Sequence, residues 1–446
     1  MPALLPFRGL RYAASRTLAL SRLIAPPYDV ISAAQREELS ARSPHNAVHL
    51  ILDRELPGDG PGENRYTRPA KALAAWSAEG VLRLDPGPSL YALEQSFTAP
   101  DGMPCVRLGL AAAVRLHAFG EGMVLPHEKT LAAPVRDRLE VLRAVRANLS
   151  PVFGLFEDPR RDGLQALQAL VQGDPSAEAR SDDGVQHRLW RVDDPAAVQK
   201  LQALLLARKV FIADGHHRYT AALAFRDEVD RATPGLPDAA GHRHMLMALC
   251  SLADPGLVIY PTHRLLLGLQ GLRLPDFLEG LARYFRVETL DEDLRRPAGR
   301  AWAIAKLAEH SGKSTTFLMV SAEDGRGRIL TLRDDADLSG LPLPVDQTVR
   351  DLDVTALHAV VFQHLLGVSG EALEGQENVR YEMDAGAAVT RTLAAEVQLG
   401  FLVNPTPLWQ VQAVAEAGET MPQKSTYFFP KVATGLVFRK LEEPVG

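Results

Sequence analysis

The residues best suited to chemistry lie in one short run, Asp214-Gly215-His216-His217-Arg218-Tyr219, set between the apolar stretches VFIA and TAAL. This order reads as a buried strand, a glycine turn and the opening turn of a helix. A helix N-terminus presents unpaired N–H groups and the positive end of its dipole, so it attracts phosphate. Gly215 lets the backbone come close to a ligand. Arg218 can clamp phosphate oxygens with two donors, and His216 and His217 can donate to phosphate or move protons. Three roles are open to Asp214: holding a cation, orienting a histidine, or accepting a proton. The plainer alternative makes Asp214 a helix cap and the histidines a local polar cluster. Six specialised polar residues between two apolar stretches favour the functional reading.

Other motifs offer partial support. In LPHEKT (125–130), His127, Glu128 and Lys129 place a base, an acid and a cation side by side, with RDRL (136–139) close behind. Glu128 is a candidate general base toward a hydroxyl; a solvated loop explains the run equally well. In MPQKSTYFFPK (421–431), Lys424 and Lys431 are candidate anion contacts, although the glycine frame of a P-loop is missing. PPYD (26–29) and PTHR (261–264) read as turns or as pocket loops. His358 and His364 fall on an apolar helical stretch and read as packed or rim histidines. No H-E-x-x-H occurs, which removes a zincin.

These residues need a scaffold, and 446 residues suffice for two or three domains. Hydrophobic residues make up 46% and charged residues 23%, an ordinary globular balance. The net charge of -6 argues against a dedicated nucleic-acid binder. Two cysteines, Cys105 and Cys250, form no zinc knuckle and fit a reducing, cytoplasmic setting. The start has no secretory h-region, and no apolar run of about 18 residues predicts a membrane span. Ser32 and Gln35 have capping-box spacing before AAQREELSARS. ENRYTRPAKALAAWSAEG reads as a helix closed by Gly80. SLYALEQSFTAP and CVRLGLAAAVRLHAF form a hairpin around PDGMP. Helical spacing runs from Val135 to Asn148, and SPVFGLFED, VFIAD and MLMALCSL read as strands. Beyond about residue 266, helices and strands alternate. The fold class expected is α/β, in the mixed α+β sense. Its expected parts are 1–120, 121–265 carrying DGHHRY, and 266–446 ending in KSTYFFPK.

Taken together, MPALLPFRGLRY, APPYDVIS, SPHNAVHLIL, LPHEKT, DRLEVLRAVRANLSPVFGLF, ADGHHRYTAAL, PTHR and MPQKSTYFFPK resemble the family catalogued as DUF1015, from Met1 to about Leu436. More distantly, the DGHHR stretch is similar to one in the ParB-like and sulfiredoxin-like superfamily, which includes free-serine kinases. That resemblance implies a ParB/sulfiredoxin-like central domain with a mixed sheet and α/β additions at either end. It also implies that Gly215, His216, His217 and Arg218 hold nucleotide phosphates, with Asp214 beside the metal or the acceptor hydroxyl. ATP or ADP with Mg2+ would be the cofactor, and L-serine or a related hydroxyl compound the acceptor. The kinases' glutamate base has no secure counterpart; Glu128 is the choice made here, with Asp214 and His216 as further catalytic candidates. The first 120 and last 180 residues have no counterpart in the small kinases. Two other readings stay open. One is a nucleotide-binding regulator of the ParB type, hydrolysing or not. The other is a metal-dependent hydrolase built on His127, Glu128, Asp214, His216 and His217.

Overall fold

The computed structural model describes residues 4–13, 17–99, 102–206 and 208–446. They form two compact units. The first comprises Met1–Pro126, Thr130–Val258 and Pro430–Gly446; the second comprises His127–Lys129 and Ile259–Phe429. The architecture is mixed α/β, as expected.

The first unit is built on a mixed nine-stranded sheet. Its strands are β1 (Leu4–Leu5), β2 (Leu90–Thr98), β3 (Pro104–Arg115), β4 (Val124–Leu125), β5 (Val152–Phe156), β6 (Ala177–Arg180), β7 (Gln186–Val192), β8 (Val210–Asp214) and β9 (His244–Ser251). The spatial order is β4-β8-β5-β9-β3-β2-β7-β6, with β1 attached to β3. The β4–β8 and β5–β9 pairs are parallel and the other pairs antiparallel. β2 and β3 are the expected hairpin, in register from Tyr91 opposite Ala111 to Thr98 opposite Pro104. Pro100 and Asp101 of its turn lie outside the described residues.

A boundary near residue 120 does not divide this sheet, because β2 and β3 before it pair into the same array as β9 after it. The last 17 residues also return to this unit: Arg439 and Lys440 pair with Asn148 and Ala147 in a separate two-stranded sheet. Local pattern marks the strands but not which strands share a sheet.

β5 and β8 are buried at every position. A continuous apolar run such as VFIA is what a strand covered on both faces requires. The helices are α1 (Ala33–Arg42), α2 (Thr67–Ala78), α3 (Ala132–Val145), α4 (Asp162–Leu170), α5 (Pro195–Leu205) and α6 (His216–Ala232). α1 opens with the expected capping box: the Ser32 hydroxyl accepts from Gln35 N–H at 3.2 Å, and Ser32 N–H donates back to the Gln35 side chain at 3.0 Å. Helices and sheet enclose a core that includes Val152, Phe156, Ile212, Tyr219, Phe225 and Met247.

The second unit has a six-stranded antiparallel sheet. Its strands are β10 (His263–Leu266), β11 (Phe285–Thr289), β12 (Thr316–Ser321), β13 (Gly327–Leu332), β14 (Val379–Glu382) and β15 (Leu399–Val403), ordered β11-β13-β12-β15-β10-β14. Alternation along β12 serves both faces. Phe317 and Met319 join a core with α7 (Leu274–Tyr284) and the segment Leu357–Leu365. Leu318 and Val320 join another with α8 (Pro297–Ala308) and α9 (Ala385–Leu393). Leu357–Leu365 is π-helical rather than α-helical. No helix among the described residues is long and apolar enough to cross a membrane.

Candidate functional site

β8 carries four apolar residues and ends on Asp214, so the last side chain of a buried strand is a carboxylate. The register with β5 slips between Ile212 and Asp214, placing Ala213 and Asp214 opposite Phe153. Such a bulge re-aims a side chain at the end of a strand. Gly215 then takes φ +96°, and α6 begins at His216 with no side chain capping it. The strand, glycine turn and helix therefore stand where the sequence puts them.

Asp214 neither caps the helix nor stands alone. One carboxylate oxygen accepts from Arg218 Nη2 at 2.5 Å, and the other from the Lys431 ammonium. Arg218 also donates to the Pro151 carbonyl, and its Nε, buried, has no partner. All three side chains are nearly buried. Burial alone would push the Asp214 carboxyl up, but Lys431 and Arg218 hold it well below the usual carboxylate range. A group so far below neutrality is a poor proton acceptor at pH 7. Its evident work is to hold two cations at the start of α6.

Two further motifs reach the same place. Arg138, from RDRL, is 7% exposed and lies 3.9 Å over the Tyr28 ring of PPYD. Burial pulls its guanidinium down to about 10, with the charges of Arg218 and Arg65 adding to the fall and Tyr28 opposing it. Arg138 and Arg65 share one carboxylate, Asp137. Four cations thus meet three carboxylates, Asp137, Asp214 and the exposed Glu55, a surplus of one that an anion would relieve. Tyr28, Arg138, Asn148, Ser150 and Arg218 line a cavity of about 40 Å3.

The other predicted residues have separate places. His217 Nε2 accepts from Leu131 N–H at 3.1 Å, tying α6 to the start of α3. His216 is buried at 3% exposure, close enough for its charge to favour ionised Asp214. Tyr219 serves the core: its hydroxyl donates to the His117 carbonyl and accepts from His117 N–H, both at 2.9 Å. Glu128 and Lys424 belong to the second unit, where Lys424 N–H donates to the Glu128 carboxylate at 3.1 Å. Lys424 therefore meets Glu128 through its backbone, whereas Lys431 meets Asp214 through its ammonium.

Asp214 is a poor fit for a resident metal, since both its oxygens are engaged by cations. No cluster of three His, Cys, Asp or Glu side chains suited to a metal occurs among the described residues. Arg138, Tyr28 and Ser150 were not singled out from the sequence as site residues. Arg138 does carry a signal: it lies three, four and seven positions before Val141, Leu142 and Val145, on the apolar stripe of α3. A charge on a buried stripe requires a partner or a ligand.

Gly215→Ala tests the turn. The φ of +96° is strained for any L side chain, and a Cβ would stand 3.0 Å from the Arg218 guanidinium carbon. We expect a loss of about 1–3 kcal/mol in chemical denaturation together with displacement of Arg218. Unchanged stability would mean that the turn does not need glycine.

A family model described as a protein of unknown function, DUF1015, matches residues 4–355. Among curated proteins none matches. Three solved structures give the scale of the wider likeness. A conserved hypothetical protein from Pyrococcus furiosus is 14% identical, with 72% of this chain and 93% of that one covered at a TM-score of 0.35. A free serine kinase in complex with AMP is 12% identical, with 71% and 89% covered at 0.34. A C-terminally truncated SbnI from Staphylococcus aureus is 12% identical, with 74% and 86% covered at 0.34.

Proposed function

Because the chain belongs to the DUF1015 family, whose function is unknown, its activity must be argued from its own residues, and we propose that the Asp214–Arg218 turn binds the phosphates of a nucleotide. The observation that carries this reading is the surplus of cations around Asp214 at an uncapped helix start. Arg218, Lys431 and Arg138 are the phosphate ligands in this reading, with Gly215 allowing the close approach. Asp214 positions Arg218 and Lys431 and takes no proton.

The reaction proposed is transfer of the terminal phosphoryl group to the hydroxyl of a small molecule, free L-serine or a relative. The bond from phosphorus to its bridging oxygen breaks, and the acceptor oxygen forms the new one. The hydroxyl proton passes to water at the acceptor; Glu128, whose carboxylate accepts from Lys424 N–H within the second unit, is not assigned that role. Cations fixed in advance around the moving phosphoryl group are what such transfers chiefly need. Magnesium would neutralise charge on the nucleotide and travel with it; no step here depends on it.

The test is calorimetric titration with ADP and ATP of the native chain and of Arg218→Lys, which keeps the charge and loses the planar fork. Charge-assisted hydrogen bonds contribute about 1.5–3 kcal/mol each, so a loss of affinity of at least about tenfold is expected. Equal affinity would remove Arg218 from the site. L-serine is then added, and O-phosphoserine sought by mass spectrometry. Its absence with nucleotide binding intact would leave the site and discard the acceptor.

A further inference from the structure

The second unit contains a cavity of about 240 Å3, lined among others by Lys129, Thr355, His358, Gln363, Tyr381 and Met421. We propose that it binds a small molecule bearing a carboxylate and a short apolar body.

Two of its lining residues carry buried polar atoms that lack partners: the Thr355 hydroxyl, on a residue 3% exposed, and His358 Nε2. Buried polar groups are nearly always satisfied, and each one left over needs an explanation. Behind this wall lies Arg264 of the PTHR motif, fully buried. Its guanidinium donates to the carbonyls of Thr262 and Lys424 and stands over the Tyr381 ring at 5.8 Å. Its Nε has no partner, and no carboxylate pairs with it among the described residues. The cavity therefore has a buried positive charge behind it and Lys129 among its lining residues, opposed in part by the Glu128 carboxylate, which acts on Tyr381. Burial, and secondly the charge of Arg264, push His358 down to about 3, so its ring is neutral and can hydrogen-bond without adding charge. The same field would repel a cationic head group and favour an anion. Pro342, Val349, Leu373 and Met421 supply apolar wall for the rest of the molecule.

The π-helical segment explains how the polar wall is assembled. In an α-helix, residues five apart lie about 140° apart around the axis. Bonding from residue i+5, as in Leu366 N–H to the Val361 carbonyl at 3.0 Å, widens the turn and narrows that angle. His358 and Gln363 are five apart and line the same cavity. The wider turn carries a conformational cost, and π-segments concentrate at functional sites.

This proposal does not depend on the reading of the first unit. The test uses the full chain and three probes of one shape: isovalerate, isovaleramide and isoamylamine, followed by ligand-observed NMR and calorimetry. Isovalerate should bind saturably, the amide at least about tenfold more weakly, and the amine not at all. Thr355→Val, isosteric and lacking the unpartnered hydroxyl, should fold as the native chain does and weaken isovalerate by about tenfold. The proposal is overturned if no probe binds, if amide and carboxylate bind alike, if the amine binds best, or if Thr355→Val leaves isovalerate affinity unchanged. ADP titration of the same sample reads the other site separately.

Discussion

Asp214→Asn is expected to destabilise the first unit by about 3–5 kcal/mol, the usual cost of removing one partner from a buried ionic cluster. Arg218 and Lys431 would be left facing a neutral amide in a nearly buried site. The loss has a specific remedy if the cluster is an anion site. Phosphate or ADP should stabilise the variant more than the native chain, because the ligand replaces a missing charge. Saturation to 100 times the dissociation constant would restore about 2.7 kcal/mol. The readout is convenient: Trp76 and Trp190, both buried, lie in the first unit, while Trp302 and Trp409 of the second are exposed. A shift in tryptophan emission therefore reports mainly the first unit. A variant as stable as the native chain would show that Asp214 balances little charge. A destabilised variant indifferent to phosphate would make the cluster structural.

Acid should weaken the first unit before most of its carboxylates titrate. Burial pushes His187 and His244 each down to about 4. His187 is neutral between Gln95 at 3.3 Å and Ser181 at 3.0 Å. The unfolded chain binds protons on these rings from about pH 6.5 downward and the folded chain does not. Their contribution is therefore full above pH 6.5, declines as pH falls, and is exhausted below about pH 4. At about 1.4 kcal/mol per pH unit, each ring costs about 2 kcal/mol by pH 5. In the second unit His263 and His358 act in the same direction, but Asp353 opposes them. Burial raises Asp353 to about 6, so its carboxyl favours the folded state as pH falls from 6 toward 3.8. In the first unit the Asp254 carboxyl, likewise pushed up by burial, offsets part of the histidine loss, so both units should lose stability between pH 7 and pH 5. Urea titrations of tryptophan emission at pH 7 and pH 5 check this; equal stability at the two values would contradict it. Replacing His187 with Gln should flatten the dependence by about half in this unit.

Local physics was legible in the sequence wherever neighbours decide the outcome. Ser32 and Gln35 form their capping box, the Val135 stripe forms α3, and VFIADGHHRY forms strand, turn and helix. Grouping was not legible. The sequence placed Lys424 and Lys431 in one anion-binding motif, yet they fall in different units. Asp214 was open to three roles because nothing nearby reveals that Lys431, 217 positions away, meets its second oxygen. The same distance hides Arg138 against Tyr28, although PPYD and RDRL were each visible alone. LHAVVFQHLL is mostly apolar, and its three polar residues give no periodicity that distinguishes its π-turns from an ordinary helix.

The return of Pro430–Gly446 to the first unit also fixes an order of events during synthesis. Lys431 reaches Asp214, Thr434 bonds Ser150 at 2.6 Å, and Arg439 bonds Asn148 at 3.0 Å. All three contacts come from residues translated after the second unit. A growing chain therefore carries Asp214 and Arg218 through about 200 further residues before the ammonium that balances them exists, which at about 5–20 residues per second is on the order of ten seconds or more. The nascent first unit can collapse early, but the cluster around Asp214 is completed only after the second unit has been translated.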